Sequence, residues 1–246
     1  MQNKDLEQTL VLIKPDALRN SLTGYVLSLL SEFHTGLRFA GCKVVHVSRM
    51  LAEEHYAEHR GKPFFEAVLE YIMGVSHYPD QPQRRRVIAI IYKGPDAVRK
   101  IREIVGPTNP HSARDQRPGC VRALGTVVDV KDAAGTIVGQ RMDNLVQASD
   151  SDMTAEREIK LWFLPRDIPP FMRAYPTSRS EGYFYYKDGR LFKTHEPGSV
   201  CLLTPGEIAW QSDLVALKLI LGGNESPCTL ESVAAKYLVN EVLEEA

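Results

Sequence analysis

Residues 143–163 gather more chemistry than any other stretch of this 246-residue chain, reading Asp-Asn-Leu-Val-Gln-Ala-Ser-Asp-Ser-Asp-Met-Thr-Ala-Glu-Arg-Glu-Ile-Lys-Leu-Trp-Phe. The apolar pair Leu145-Val146 brings Gln147 to the end of a short strand, and the polar cluster 148–152 supplies caps for a helix starting near Met153. Free backbone N–H groups at such a start can face an anion. Asn144, Gln147, Ser149 and Glu158 can therefore converge on one ligand. The centre of that constellation is inert: the nitrogen lone pair of the Gln147 amide is delocalised into the carbonyl, so it neither titrates nor accepts a phosphoryl group.

Matching cations stand elsewhere. Lys14 ends an apolar run just before Pro15-Asp16, which holds its compact ammonium at a sheet edge, and Arg102 and Arg122 offer planar forks suited to phosphate oxygens. Phe64, after Lys62-Pro63, presents a ring on which any base can stack, since stacking ignores the hydrogen-bonding edges. Taken singly, each has a commoner explanation: a solvated strand end, a helix-surface charge, a core aromatic. Taken as an ordered set that ends in Asn144 and Ser149-Asp150-Ser151, they favour a nucleotide site.

The elements that must carry these residues follow from periodicity. Residues 9–13 form a continuous apolar strand, 38–50 a β-rich segment and 86–92 another strand. Helical spacing is predicted over 22–33, with Tyr25 and Phe33 on the apolar face, over 52–60 and 63–73, and over 97–105 up to Gly106. Residues 126–130 pair with 136–138 across Ala133-Ala134-Gly135, and the strand 144–147 and the helix to Phe163 complete a helix-covered, largely antiparallel sheet. After Pro165 the register changes. Strands 183–186 and 190–194 flank the turn Lys187-Asp188-Gly189. Thr204-Pro205-Gly206-Glu207 reads as a capping box opening a helix that Gly222-Gly223 ends, and a last helix runs from about Pro227 with Leu230, Val233, Ala234, Tyr237 and Leu238 on one face. The predicted organisation is a nucleotide-binding domain over 1–164 and a hairpin with two helices over 165–246.

Composition narrows the function classes. The 30 basic and 31 acidic residues nearly cancel, so no global field favours nucleic acid or a membrane surface, and any anion site is local. The four cysteines, Cys42, Cys120, Cys201 and Cys228, are scattered without a metal or redox spacing, which fits idle thiols in a reducing compartment. The polar N-terminus carries no secretion signal, and the apolar run 214–221, interrupted by Lys218, is too short to span a bilayer. A cytoplasmic protein is expected.

Over roughly residues 8–163 the motifs resemble, in order, those of the nucleoside diphosphate kinases. The resemblance implies a ferredoxin-like α/β (α+β) sandwich with a four-stranded, mostly antiparallel sheet, extended here by a C-terminal α+β unit. It implies that Lys14, in Ile-Lys-Pro-Asp, reaches phosphate and ribose oxygens, that Tyr56, in Glu-His-Tyr, lies beside the phosphorylated His, and that Phe64 stacks on the base. Arg102, Thr108 and Arg122 match the phosphate-binding residues, Asn144 the ribose ligand, and Ser149 with Glu158 the pair orienting the nucleophile. Gln147 stands where the family has that His. Mg²⁺ would be held by the phosphates and Asp150, the ligands would be ATP, GTP and other nucleotides, and a homo-dimer or higher homo-oligomer is implied. Residues 165–246 would be free to touch a protein partner.

Three outcomes are open at Gln147: phosphotransfer is lost and the chain binds nucleotide; Gln147, oriented by Glu158, positions a water for slow triphosphate hydrolysis; or kinase activity survives by direct transfer or through another residue such as His111. The chain also departs from the family after Arg122, where Ala123-Leu124-Gly125 replaces Gly-Asp-Phe. Residues 129–141 are an addition, and residues 111–118 are longer than the family's loop.

Overall fold

The computed structural model describes residues 7–131 and 134–238. The first half runs β1 (Gln8–Ile13), α1 (Pro15–Arg19), α2 (Thr23–Leu29), α3 (Glu32–Thr35), β2 (Arg38–Val45), α4 (Arg49–His55), α5 (Phe65–Ile72), β3 (Val87–Lys93), α6 (Ala97–Val105) and α7 (Pro110–Gln116). It continues through β4 (Thr126–Lys131), β5 (Ile137–Asp143), β6 (Val146–Ala148) and α8 (Asp152–Trp162). The C-terminal unit adds β7 (Thr177–Arg179), β8 (Phe184–Lys187), β9 (Arg190–Phe192), β10 (Val200–Leu203), β11 (Ile208–Trp210), α9 (Gln211–Leu221) and α10 (Leu230–Ala234).

Four strands form the central sheet in the order β2-β3-β1-β6, every pairing antiparallel, consistent with a ferredoxin-like fold. β1 and β3 read as unbroken apolar runs because both faces of the sheet are covered. Leu10, Leu12, Ala89 and Ile91 point into one core with Leu51 of α4, Leu69 of α5 and Ile159 of α8. Val11, Ile13, Ile90 and Tyr92 point into the other with Ala17, Val26 and Ile101. β4 and β5 stand apart as a separate two-stranded hairpin.

The C-terminal unit has its own core between β8, β10, α9 and α10, yet it is not separate from the first domain. Trp210 and Ala235 belong to the same apolar cluster as α4 and α8. The Trp210 indole donates to the Phe163 carbonyl at 2.8 Å, and Thr229 Oγ1 donates to Glu54 at 2.9 Å.

Three local expectations fail for identifiable reasons. The helix expected over 22–33 breaks because Ser31 caps a new turn by accepting from the His34 N–H, and this leaves Phe33 92% exposed. Thr204–Glu207 keeps the capping-box contact, Glu207 accepting from the Thr204 N–H at 3.2 Å. Gly206, at φ +84°, nevertheless turns the chain toward Ser180, and it enters β11 instead; helix α9 begins only at Gln211. The last helix covers Leu230–Ala234, with Tyr237 and Leu238 beyond it but packed on the same cluster. By contrast, Asp188 and Gly189 both take positive φ, as a two-residue hairpin turn between right-twisted strands requires. Ala133, placed by sequence in the β4–β5 turn, lies outside the described residues. No described helix is long and apolar enough to cross a membrane.

Candidate functional site

β6 is only three residues long and is held to β1 with Gln147 opposite Leu12. The chain enters it through Leu145 at φ +69°, a left-handed conformation that costs a non-glycine residue about 1–2 kcal/mol. Two bonds hold it there: Asp16 Oδ2 accepts its N–H at 2.8 Å, and its carbonyl accepts the Lys14 N–H at 2.8 Å. The Lys-Pro-Asp turn after β1 thus fixes the reversal that sets Asn144 and Gln147 on the wall of a cleft of about 580 Å³.

Beneath Gln147 lies a buried pair. Ser149 Oγ donates to Glu158 at 2.5 Å and accepts the Leu10 N–H at 3.2 Å. Burial raises the Glu158 carboxyl to about 7, the Ser149 hydrogen bond working in the opposite direction. His55 Nδ1 lies 3.8 Å from the same carboxyl and accepts the Trp162 indole N–H at 3.2 Å. Burial, with Arg157 nearby, lowers this imidazole to about 3, so it is neutral. Glu158 is therefore engaged by Ser149 rather than by Gln147, and the expected Glu158–Gln147 bond is not made. The Gln147 carboxamide has no side-chain partner among the described residues.

The cationic end is tightly framed. Lys14 Nζ donates to Asn144 Oδ1 and stands 4.2 Å from the Tyr71 ring centre; burial lowers its ammonium to about 7, with Asp16 opposing. Asn144 passes the frame on, donating Nδ2 to the Thr108 carbonyl at 2.7 Å and its N–H to the Tyr71 hydroxyl at 3.3 Å. Arg122 is buried, its Nε and Nη2 sharing the Val146 carbonyl and its Nη1 reaching the Gly106 carbonyl at 3.0 Å and Thr108 Oγ1 at 3.5 Å. One Nη2 hydrogen is left over. Burial, then the neighbouring Arg102, lowers Arg122 to about 10. Arg102 itself is exposed on α6 at the cleft rim.

At the other end Phe64 is 50% exposed and meets His59 edge-on, with Tyr56 stacked behind at 6.0 Å between ring centres. Burial, then Glu158, raises the Tyr56 hydroxyl above the usual phenol range. The cleft therefore gathers Lys14, Tyr56, Phe64, Arg102, Thr108 and Arg122 with Asn144, Gln147, Asp150 and Glu158, while Ser149 lies beneath its floor. His111 does not line it; that imidazole sits on α7 beside Arg114. His59 is the one imidazole lining the cleft among the described residues, and it stands with Phe64.

Several members were not legible beforehand. Asp16 and Tyr71 matter through backbone contacts that nothing in their local sequence announces. Asp143 accepts from Arg141 at 2.7 Å and pairs with His77 Nε2 at 3.1 Å; burial opposes ionisation, yet these bonds hold its carboxyl at about 2. The hairpin adds Val130, Gln140, Arg141 and Met142 to the cleft wall.

For a metal, no group of three His, Cys, Asp or Glu side chains converges among the described residues. Glu58, Glu70 and Asp150 are the exposed carboxylates lining the cleft, and of these Asp150 lies near Arg102 and is held below its usual range by hydrogen bonds from Thr154 and then Ser151, against some burial. That donor set suits Mg²⁺ bound mainly through phosphate oxygens and water, with a single protein carboxylate.

The chain is similar to known proteins in both sequence and fold. The family model described as nucleoside diphosphate kinase matches residues 7–168. A nucleoside diphosphate kinase of Thermococcus kodakarensis is 33% identical over 202 residues, covering 82% of this chain and 99% of the relative. One from Pyrococcus abyssi is 37% identical over 187 residues, covering 76% and 99%. Among solved structures, the Aquifex aeolicus nucleoside diphosphate kinase superposes with a TM-score of 0.51 at 30% identity, covering 66% of this chain and 99% of that one. The Halobacterium salinarum nucleoside diphosphate kinase, solved in complex with CDP, gives 0.50 at 30% identity, covering 66% and 91%.

Proposed function

The chain belongs to the nucleoside diphosphate kinase family, and from that premise we propose that it binds nucleoside di- and triphosphates in the cleft while phosphotransfer through a phosphohistidine is lost or strongly impaired. The observation that carries this reading is Gln147 on the cleft wall above the Ser149–Glu158 pair, with the only lining imidazole of the described residues, His59, packed between the Tyr56 and Phe64 rings.

In this reading the base lies on Phe64, and Arg102 with the remaining Arg122 hydrogen meets the phosphates. Lys14 regains its proton as negative charge arrives. Asn144 and Thr108 are already tied to one another, so the ribose and phosphate contacts form on a preset frame. Mg²⁺ with Asp150 neutralises phosphate charge when bound. Loss of the nucleophile from an otherwise complete set typically costs on the order of 10⁶-fold in rate. The same proposal includes a homo-dimer or higher homo-oligomer, a protein partner for residues 165–246, and a cytoplasmic location.

Incubation with γ-labelled ATP and Mg²⁺, alongside calorimetric titration of ATP and ADP, tests the reading. Nucleotide binding without acid-labile phosphate on the protein is expected. Label retained on the chain would overturn it, and phosphate release that disappears in Gln147→Ala would assign the water-positioning role instead. Restoring an imidazole with Gln147→His is expected to raise exchange between ATP and GDP by at least about 10²-fold; no gain would count against the site.

A further inference from the structure

The β4–β5 hairpin occupies the stretch that is an addition to the family's pattern, yet it forms part of the cleft. Gln140, Arg141 and Met142, three consecutive residues of β5, line the same cavity as Phe64 and Val68 of the α5 side, and Val130 joins them from β4. Consecutive lining residues mean that the strand's edge, rather than one of its faces, is turned to the cavity. β5 pairs with β4 alone, so that edge carries N–H and C=O groups with no ladder partner among the described residues. Gln140 donates Nε2 to Asp129 at 3.0 Å, which steadies its carboxamide and leaves its oxygen available. Met142, on the same face of the ladder as Gln140, is 40% exposed at the cavity mouth, and Val130, 39% exposed, stands on the opposite face.

The hairpin is also anchored. Gly125 passes so close to the following segment that a Cβ would lie 2.5 Å from the Asp143 carbonyl. At the far end of β5, Asp143 is pinned by Arg141 and by His77, and Asn144, next in sequence, belongs to the Lys14 frame. One end of the hairpin is thus tied to the Lys14 frame while its strands stand over the Phe64 side of the cavity.

We propose that this hairpin is the base-selecting wall of the cleft, placing Met142 against the base and Gln140, on the same face of the ladder, with the unpaired β5 edge at its hydrogen-bonding rim, so that purine nucleotides are held in preference to pyrimidine nucleotides. The inference rests on the nucleotide-binding reading. A single aromatic platform takes every base. A second apolar wall makes affinity depend on how much base there is to cover, and the second ring of a purine gains contact only where such a wall exists. Fixed polar groups at the rim reject a base that leaves them unpaired.

Titration of ADP, GDP, CDP and UDP into the full chain, with Mg²⁺ present, tests this. The purine diphosphates are expected to bind at least about tenfold more tightly than the pyrimidine ones. In the double variant Gln140→Ala, Met142→Ala, that preference is expected to fall below about threefold, whereas Val130→Ser, on the opposite face of the ladder, is expected to keep it. All three side chains are exposed or half-buried, and circular dichroism of each variant checks that the fold is kept. Equal affinities in the unaltered chain, a pyrimidine preference, or a purine preference that survives the double variant would each overturn the proposal. Failure of all four nucleotides to bind would instead remove the nucleotide reading beneath it.

Discussion

Lys14 is buried with its ammonium brought to about 7, so much of it is uncharged near neutral pH when the cleft holds no anion. A nucleoside triphosphate supplies the charge that burial denies, and binding is expected to take up a proton between about pH 7 and 9. Calorimetric enthalpies measured in buffers of different ionisation enthalpy report this uptake directly, and Lys14→Met is expected to abolish it. Glu158 gives a prediction of a different kind. Its carboxyl is raised from 4.5 to about 7, so the folded chain binds this proton more tightly than the unfolded one. The stability it contributes is complete below about pH 4.5 and is lost as pH rises through about 7. Denaturant midpoints from pH 4.5 to 8 are expected to fall, and Glu158→Gln, which cannot titrate, is expected to flatten that slope.

Among the elements, the loop after α6 carries the tightest constraint. Gly106 sits at φ +82°, its carbonyl accepts from Arg122, and a Cβ there would collide with Cys120 Sγ and lie 2.9 Å from Cys120 Cβ. Both the dihedral and the space demand glycine. Gly106→Ala is expected to destabilise the chain by about 1–3 kcal/mol and to weaken nucleotide binding through the displaced Arg122. Adding Cys120→Ala removes the collision with Sγ but leaves the 2.9 Å contact with Cβ and the dihedral strain, so only part of the loss should return in urea denaturation. β6 makes the complementary point: three residues long, it carries Gln147 to the cleft only because Asp16 and Lys14 hold Leu145 in its reversed conformation.

For the whole molecule, residues beyond the family match at 168 are built into its core. Trp210 is fully buried in the cluster of α4 and α8, and Thr229 reaches Glu54, two residues before Tyr56. Replacing Trp210 by Ala is expected to cost about 3–5 kcal/mol, with far-ultraviolet dichroism and tyrosine emission losing signal in one coincident transition. Separate transitions would show instead that the C-terminal unit unfolds alone.

What sequence alone determined is what the nearest neighbours in the chain decide. Continuous apolar runs mark β1 and β3, Asp188-Gly189 makes a tight hairpin because both residues tolerate positive φ, and the ordered spacing from Lys14 to Glu158 points to a polyanion site. Tertiary structure decided what depends on distant partners. Thr204–Glu207 has the composition of a helix start, but Ser180 claims Gly206 and the chain becomes a strand. Burial is the main cause that brings Lys14 and Glu158 near neutrality, and Tyr71 and the added hairpin line the cleft, with Asp16 holding Leu145 behind it, only when segments tens of residues apart pack together. Local chemistry sets which conformations are cheap, and long-range backbone hydrogen bonds and the water excluded around them choose among those.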